Sequence, residues 1–599
     1  MKLKQNLSAI ILFIFFASLY IYTAAPGVYD GDSGEMATAV YTLGLAHPTG
    51  FPLYMLTGKL FTLLAPIKDV AYRLNLFSAF LTAGALVFVY FTLRNLGNSP
   101  FASLTSSFIL GLGRSTIWRN ATTTSIYSLS LFLAAILWFI FSKWKRDPKI
   151  KHLYWYGLVW GLSLGTHTTM LIMGIPFLLM LWQSRSVFKS KISVLLKIIF
   201  VAIIPGLQYI YLLFAYRRNG IVTWGSMASW SDFMYYITQR QYAFKMWSRD
   251  SSASINFFKK ITELLTSEFT IVLFFVAIIG LIVLFKKYRS IFAIITLTAL
   301  ANVILLFSYG KLDNELFILY RYIFIADLAL ILAIAFGLDT LVESLGSLKN
   351  KGRLIFLMLI VLVIVGFQFK YAFTNNNRRK NYLVGDTAQN ILKTVEPSSI
   401  ILAYGDPIIG PLWYFQSIGG RRDIVVISAP LVPFRWYAEN LIKKYPDIAD
   451  SSIFEGDQNK RIGGLINNNI TKRPIYAVFN SSTDGALEQK FDFIPQGILN
   501  KLVLKGSANA REAAVANKEI WSKYTLRNIR PDFYSDNELK VMSQTYALAL
   551  YRAGLAYYYN DMLIESIDAL SKSLEIFPHP ETKKNLDYIK NKKYLPPNK

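Results

Sequence analysis

Asp30-Gly31-Asp32-Ser33-Gly34-Glu35 lies just beyond the apolar run Leu7–Tyr22, and this junction of a candidate membrane span with an acid cluster decides how the rest of the chain reads. Acids are scarce around it. Of the 37 Asp and Glu, 14 precede residue 374, and three of those fall within these six positions. A second unusual string, His47-Pro48-Thr49-Gly50-Phe51-Pro52, follows closely. Ionisable groups beside a bilayer are costly to place, so a cluster of them is a functional site by default. The two strings together predict an active-site loop at a membrane face.

Outward from this loop the chain is apolar. Its 599 residues are 53% hydrophobic and 15% aromatic, with a mean hydropathy of +0.36, beyond the range of ordinary soluble proteins. Apolar runs near twenty residues long predict a polytopic α-helical membrane protein with about eleven transmembrane helices. They lie near 7–23, 74–93, 101–117, 124–142, 153–166, 168–183, 193–216, 269–285, 290–308, 319–338 and 354–373. The first run follows Lys2 and Lys4 as a signal peptide would, but retaining it as an anchor makes the rest of the topology self-consistent.

The net charge of +26 does not point to nucleic acid, because the basic residues gather between the spans as a topology signal should. Lys143–Lys151, Arg185–Lys191, Lys286–Arg289 and Lys349–Arg353 all fall on one side, read as cytoplasmic together with the N-terminus. The opposite face then carries 24–73, 217–268, 309–318 and everything after 373. Arg217-Arg218 is the visible exception. A plasma or inner membrane location with an extracytoplasmic C-terminal domain is the expectation. The absence of cysteine excludes disulfides, thiolate metal sites and a cysteine nucleophile. A Walker loop, an HExxH helix and a GxSxG elbow are also missing, which argues against a nucleotide-driven pump or a zinc protease.

After Phe373 the sequence turns polar. Ile400–Tyr404, Ile424–Ser428 and Pro474–Phe479 read as short buried strands, with a helical pattern at 435–445 between them, so an α/β module is predicted. Residues 547–578 resemble one tetratricopeptide repeat through Gly554, Tyr557, Leu570 and Pro578, although Ser566 and Ser573 stand where alanines are usual. One repeat cannot form an array, so a helical hairpin capping the soluble domain is expected. The domains predicted are 1–373, a transmembrane domain with a catalytic first external loop at 24–73; 374–540, a soluble α/β domain; and 541–599, a TPR-like helical segment.

Asp30, Asp32 and Glu35 sit among glycines that let a backbone approach a ligand closely, and a partly desolvated carboxylate suits a general base. Helix capping would occupy one acid, not three. His47, fixed by neighbouring prolines and Gly50, either binds a polar group, orders the acid loop or is satisfied by backbone. His167, in Gly165-Thr166-His167-Thr168-Thr169, is either a turn residue or a supporting donor. Arg119 and Arg321 flank the external ends of their spans. An arginine there either snorkels to the interface or grips phosphate oxygens with its planar fork.

Several of these strings resemble a known family. Gly31-Asp32-Ser33-Gly34-Glu35 followed by Leu43-Gly44-Leu45-Ala46-His47-Pro48-Thr49-Gly50-Phe51-Pro52-Leu53-Tyr54 is similar to the N-terminal signature of a group of GT-C membrane glycosyltransferases that includes a eukaryotic protein O-mannosyltransferase. Trp118-Arg119-Asn120-Ala121 with Ile126-Tyr127, Gly161–Thr168, and Gly405-Asp406 with Pro411–Gln416 extend the likeness into the soluble half. The chain departs from the pattern at Ser125-Ile126, where a glutamate commonly precedes the tyrosine, and after Asp406, where Pro407-Ile408-Ile409-Gly410 replaces polar residues.

The resemblance implies transfer of a sugar, mannose-like hexose first, from a polyprenyl-phosphate donor to an acceptor hydroxyl on a protein or glycan. The transfer would proceed with inversion at the non-cytoplasmic face, without metal or cofactor. On that reading Asp32 removes the acceptor proton and Glu35 orients Asp32 or the acceptor. Asp30, His47 and His167 help bind substrate or donor, and Arg321, then Arg119, stabilise the departing phosphate. The competing classes are a lipid-linked sugar flippase, which calls for polar groups at the bilayer midplane, and a non-catalytic membrane scaffold.

Overall fold

The computed structural model describes residues 2–310, 315–344, 351–478 and 489–591, and these divide into two compact units. The first takes in Met1–Ala25, His47–Arg217 and Met227–Arg379; the second takes in Pro26–Ala46, Arg218–Ser226 and Lys380–Lys599. Phe479, at the end of the third strand expected from sequence, and Lys349 of the basic loops lie outside the described residues.

The first unit is helical. Among the described residues, eight helices are long and apolar enough to cross a membrane, the longest-buried being Val70–Asn95, Ile126–Arg146 and Phe324–Ser344. Three of the eleven expected spans are shorter helices: Pro100–Gly111, Ile150–Ser163, and the segment Thr168–Gln183, which opens as a 3₁₀ turn. Glycines set the spacing of some helices. A Cβ on Gly280 would lie 1.8 Å from the Ala333 carbonyl oxygen, and one on Gly337 would lie 2.0 Å from that of Val276, so Ser251–Lys287 and Phe324–Ser344 touch backbone to backbone. Close approach through small residues is a membrane packing device, because apolar burial alone cannot draw helices together in lipid.

Among the described residues the second unit holds a sheet of β1 (Ile400–Ala403), β2 (Val425–Ser428), β3 (Ile475–Val478), β4 (Phe491–Gln496) and β5 (Leu499–Leu504), in the order β2-β1-β3-β5-β4. β1 pairs in parallel with β2 and β3; every residue of the three is buried. That suits continuous β-branched and apolar runs covered by helices on both faces. Asp406–Gly419 links β1 to β2, and Arg435–Lys444 falls within the 435–445 helical pattern read from sequence. An antiparallel hairpin, β4 and β5, extends the sheet and was not foreseen. Pro495 hides it from a strand search, and a proline is tolerated because β4 is the edge. Beyond the sheet, Asn537–Tyr559 and Leu563–Ile576 form a helix pair in which Gly554 lies against Leu570.

Candidate functional site

Within the second unit the acid loop leads into the helix Ser33–Thr42. Asp32 takes the position before that helix yet makes no side-chain cap bond to it. The carboxylate is therefore not spent as a cap, which is the use that serine, threonine and aspartate at this position ordinarily have. Asp32 is half-buried, whereas Asp30 and Glu35 are 6% and 7% exposed. Asp30 Oδ1 accepts the Gly31 N–H at 2.6 Å, and the Tyr29 N–H is donated to Ser33 Oγ at 3.1 Å. Gly31 itself is in the left-handed region at φ 65°. The loop is thus folded on its own side chains, with the middle acid turned furthest toward solvent.

Gly34 has a different reason. A Cβ there would lie 2.4 Å from the Gly410 carbonyl carbon and the Pro411 nitrogen, so the helices Ser33–Thr42 and Asp406–Gly419 meet without side chains between them. Tyr29 donates its hydroxyl to Asp536 at 2.6 Å and accepts from Asn381 at 3.2 Å. At the far end, the Leu45 N–H is donated to the Val222 carbonyl at 3.1 Å and the Trp224 N–H to the Leu45 carbonyl at 2.9 Å. These contacts fix residues 26–46 against the sheet-bearing part of the same unit.

A cavity of about 90 Å³ opens beside the loop, lined among others by Gly31, Glu35, Trp224, Asp406, Trp413 and Ser428. It lies at the carboxyl ends of the parallel strands β1 and β2, where open α/β sheets commonly receive ligands. Asp406 and Trp224 were not singled out as site residues in the sequence. Asp406 follows a strand, opens a helix and belongs to the Gly405-Asp406 string of the family likeness, signals that could have found it.

The first unit gathers the remaining candidates. The His47 ring meets Phe51 edge-on at 4.9 Å, Phe51 stacks on His167 at 6.3 Å, and His167 lies 4.6 Å from Tyr322 and 5.5 Å from Tyr127. His167 is 3% exposed and its Nδ1 accepts the Thr169 N–H at 3.2 Å, so it caps its own turn, the first of the two uses open to it in the sequence. Arg119 lies over the Tyr320 ring at 5.3 Å. Tyr320-Arg321-Tyr322 ends the helix Glu315–Tyr322, so Arg119, His167 and His47 share one aromatic-lined neighbourhood with the two tyrosines that flank Arg321 in sequence. Ionisable side chains in this unit are also buried at positions that no sequence pattern marks: Glu268, Asp327 and Arg378 are wholly or almost wholly buried. Among the described residues no three His, Asp or Glu side chains converge in a way that could hold a metal ion.

Residues 32–191 match the protein O-mannosyl-transferase TMEM260 N-terminal domain, and residues 384–453 match the TMEM260-associated domain 2. The chain is 22% identical to protein O-mannosyl-transferase tmem260 of Dictyostelium discoideum over 98% of its own length and 78% of that protein's. It is 23% identical to protein O-mannosyl-transferase TMEM260 of Mus musculus over 82% and 71%. Among solved structures it is similar to ArnT of Cupriavidus metallidurans, both bound to undecaprenyl phosphate and in the apo state. The TM-scores are 0.52 and 0.53 at 12% identity, covering 83% and 82% of this chain and 98% and 97% of those, a likeness of fold. The chain is a multi-pass membrane glycosyltransferase with a GT-C-like fold, and over residues 32–191 and 384–453 it is similar to the protein O-mannosyl-transferase TMEM260 family.

Proposed function

We propose that the protein transfers a mannose-like hexose from a polyprenyl-phosphate donor to a serine or threonine hydroxyl of a protein acceptor. The reaction inverts the anomeric centre and takes place at the non-cytoplasmic face, with the N-terminus in the cytoplasm. The observation that carries this reading is the acid loop: Asp32 half-buried between two buried acids, just before a helix pinned by the Gly34–Gly410 contact. A base held on rigid elements is what in-line attack by a hydroxyl requires. The names of the two relatives and the GT-C fold support the donor and acceptor classes.

Asp32 removes the acceptor proton as the oxygen attacks the anomeric carbon, and the bond to the donor phosphate breaks with its electrons leaving on phosphate. Glu35 orients Asp32 or the acceptor, and Asp30 holds the loop. Arg321 and Arg119 meet the negative charge that grows on the leaving phosphate, while His47 and His167 stiffen the aromatic layer around them. The test supplies polyprenyl-phosphate mannose and a Ser/Thr-rich peptide to the protein in proteoliposomes. Peptide-linked mannose of opposite anomeric configuration to the donor is expected. Passage of intact donor across the bilayer with no transfer to peptide would support a flippase and overturn the proposal.

A further inference from the structure

The helix that carries Arg119, Ile117–Ala121, has five residues, too few to persist without outside support. Buried charge holds it at both ends. At its start the Glu268 carboxylate, 0% exposed, accepts the backbone N–H groups of Ser115 at 2.5 Å, Thr116 at 3.0 Å and Ile117 at 3.2 Å. At its end the Arg378 guanidinium, 1% exposed, donates to the Arg119 carbonyl at 3.3 Å and to the Thr122 hydroxyl at 2.5 Å. The Arg378 backbone N–H is in turn donated to the Thr23 carbonyl at 2.9 Å. An acid at the N-terminal end and a base at the C-terminal end complement the helix dipole, and a buried charge is tolerated only where such partners compensate it.

Two further observations show that the surroundings are built for this carboxylate. A Cβ on Gly113 would lie 2.0 Å from Glu268 Oε1, so only glycine there lets the acid reach the turn. The helix Ser251–Lys287 breaks at Thr270, with φ 60° and ψ 155°, two residues past Glu268. A β-branched residue in positive φ is rare and persists where the structure around it demands it. Gln368 Nε2 secures the break by donating to the Glu268 carbonyl at 2.8 Å and to that of Ile109 at 3.1 Å.

We infer that Glu268 and Arg378 are positioning residues for Arg119: they lock the 115–122 turn so that the guanidinium is held ready for the donor phosphate. This rests on the donor-binding role proposed above for Arg119. Glu268→Gln keeps the shape but turns one acceptor into an N–H donor facing N–H donors. In the full-length protein it is expected to speed hydrogen exchange at the 115–117 amides and to raise the KM for polyprenyl-phosphate mannose about tenfold, with a smaller change in kcat. Gly113→Ala should reproduce both effects by pushing the acid away. Glu268→Gln combined with Arg119→Ala should be no worse than Arg119→Ala alone, since both remove one function.

Unchanged amide exchange in Glu268→Gln, or a double variant whose KM change is the product of the single ones, would overturn the inference. An unchanged KM in Arg119→Ala would instead overturn the donor-site reading and with it the purpose assigned to the turn, whatever the amides report. If Glu268→Gln fails to accumulate, Glu268→Asp, one methylene shorter, supplies the same two measurements.

Discussion

Asp32 and Glu268 are both acids placed at a helix start, Asp32 just before Ser33–Thr42 and Glu268 reaching from inside Ser251–Lys287 to the turn that opens Ile117–Ala121, and their surroundings differ. Glu268 is sealed from solvent with both oxygens engaged by backbone N–H groups, so its charge is consumed in holding a turn. Asp32 is half-buried, makes no cap bond to the helix it precedes, and stands in a loop whose other two acids are buried. An acid can serve as a base only where a substrate can reach it.

This contrast can be broken or sharpened at several points. Arg321→Ala, which removes the cation proposed to meet the leaving phosphate, is expected to lower kcat about 10²- to 10³-fold in the proteoliposome transfer assay. An unchanged kcat would leave Arg321 as an interface residue. Glu35→Gln should cost about tenfold in kcat, because it removes an orienting partner and not the base; a loss as deep as that of an Asp32 variant would exchange the two roles.

Gly34→Ala is expected to destabilise the protein by about 1–3 kcal/mol, since its Cβ would meet Gly410 and Pro411 backbone at 2.4 Å. Thermal unfolding of the full chain measures it, and wild-type stability would dismiss the glycine contact. The smallest effect expected is at Lys444, whose Nζ donates to the Gly220 carbonyl at 2.9 Å and whose pKa burial pushes down to about 8. Between about pH 8 and 10.4 the unfolded chain holds this proton more often than the folded one, so stability from this residue rises with pH there. Below about pH 8 the lysine is charged in both states and the burial cost is present in full. Lys444→Met should flatten the rise of the unfolding midpoint between pH 8 and 10.

The sequence made the spans, the acid loop and the three parallel strands legible, because each is a local signal: a long apolar run, a composition anomaly, a short buried run between turns. It could not make legible what depends on distant partners. Hydropathy places 26–46 between two membrane segments, yet its contacts at Gly410, Asn381 and Asp536 put it in the unit with the sheet. Glu268 reads as the polar edge of an apolar run and Arg378 as part of a linker, because burial of a charge is visible only once its hydrogen-bond partners are known. The cavity beside Glu35 likewise draws on residues 31, 224, 406 and 428, which no spacing rule connects.

The most direct test of the account replaces Asp32 by Asn and measures mannose transfer from polyprenyl-phosphate mannose to a peptide hydroxyl, with protein level and unfolding midpoint followed in parallel. The side chain keeps its size and loses its basicity. Transfer is expected to fall by about 10³-fold with donor binding and stability retained. Transfer at the wild-type rate in a folded Asp32→Asn protein would contradict the account.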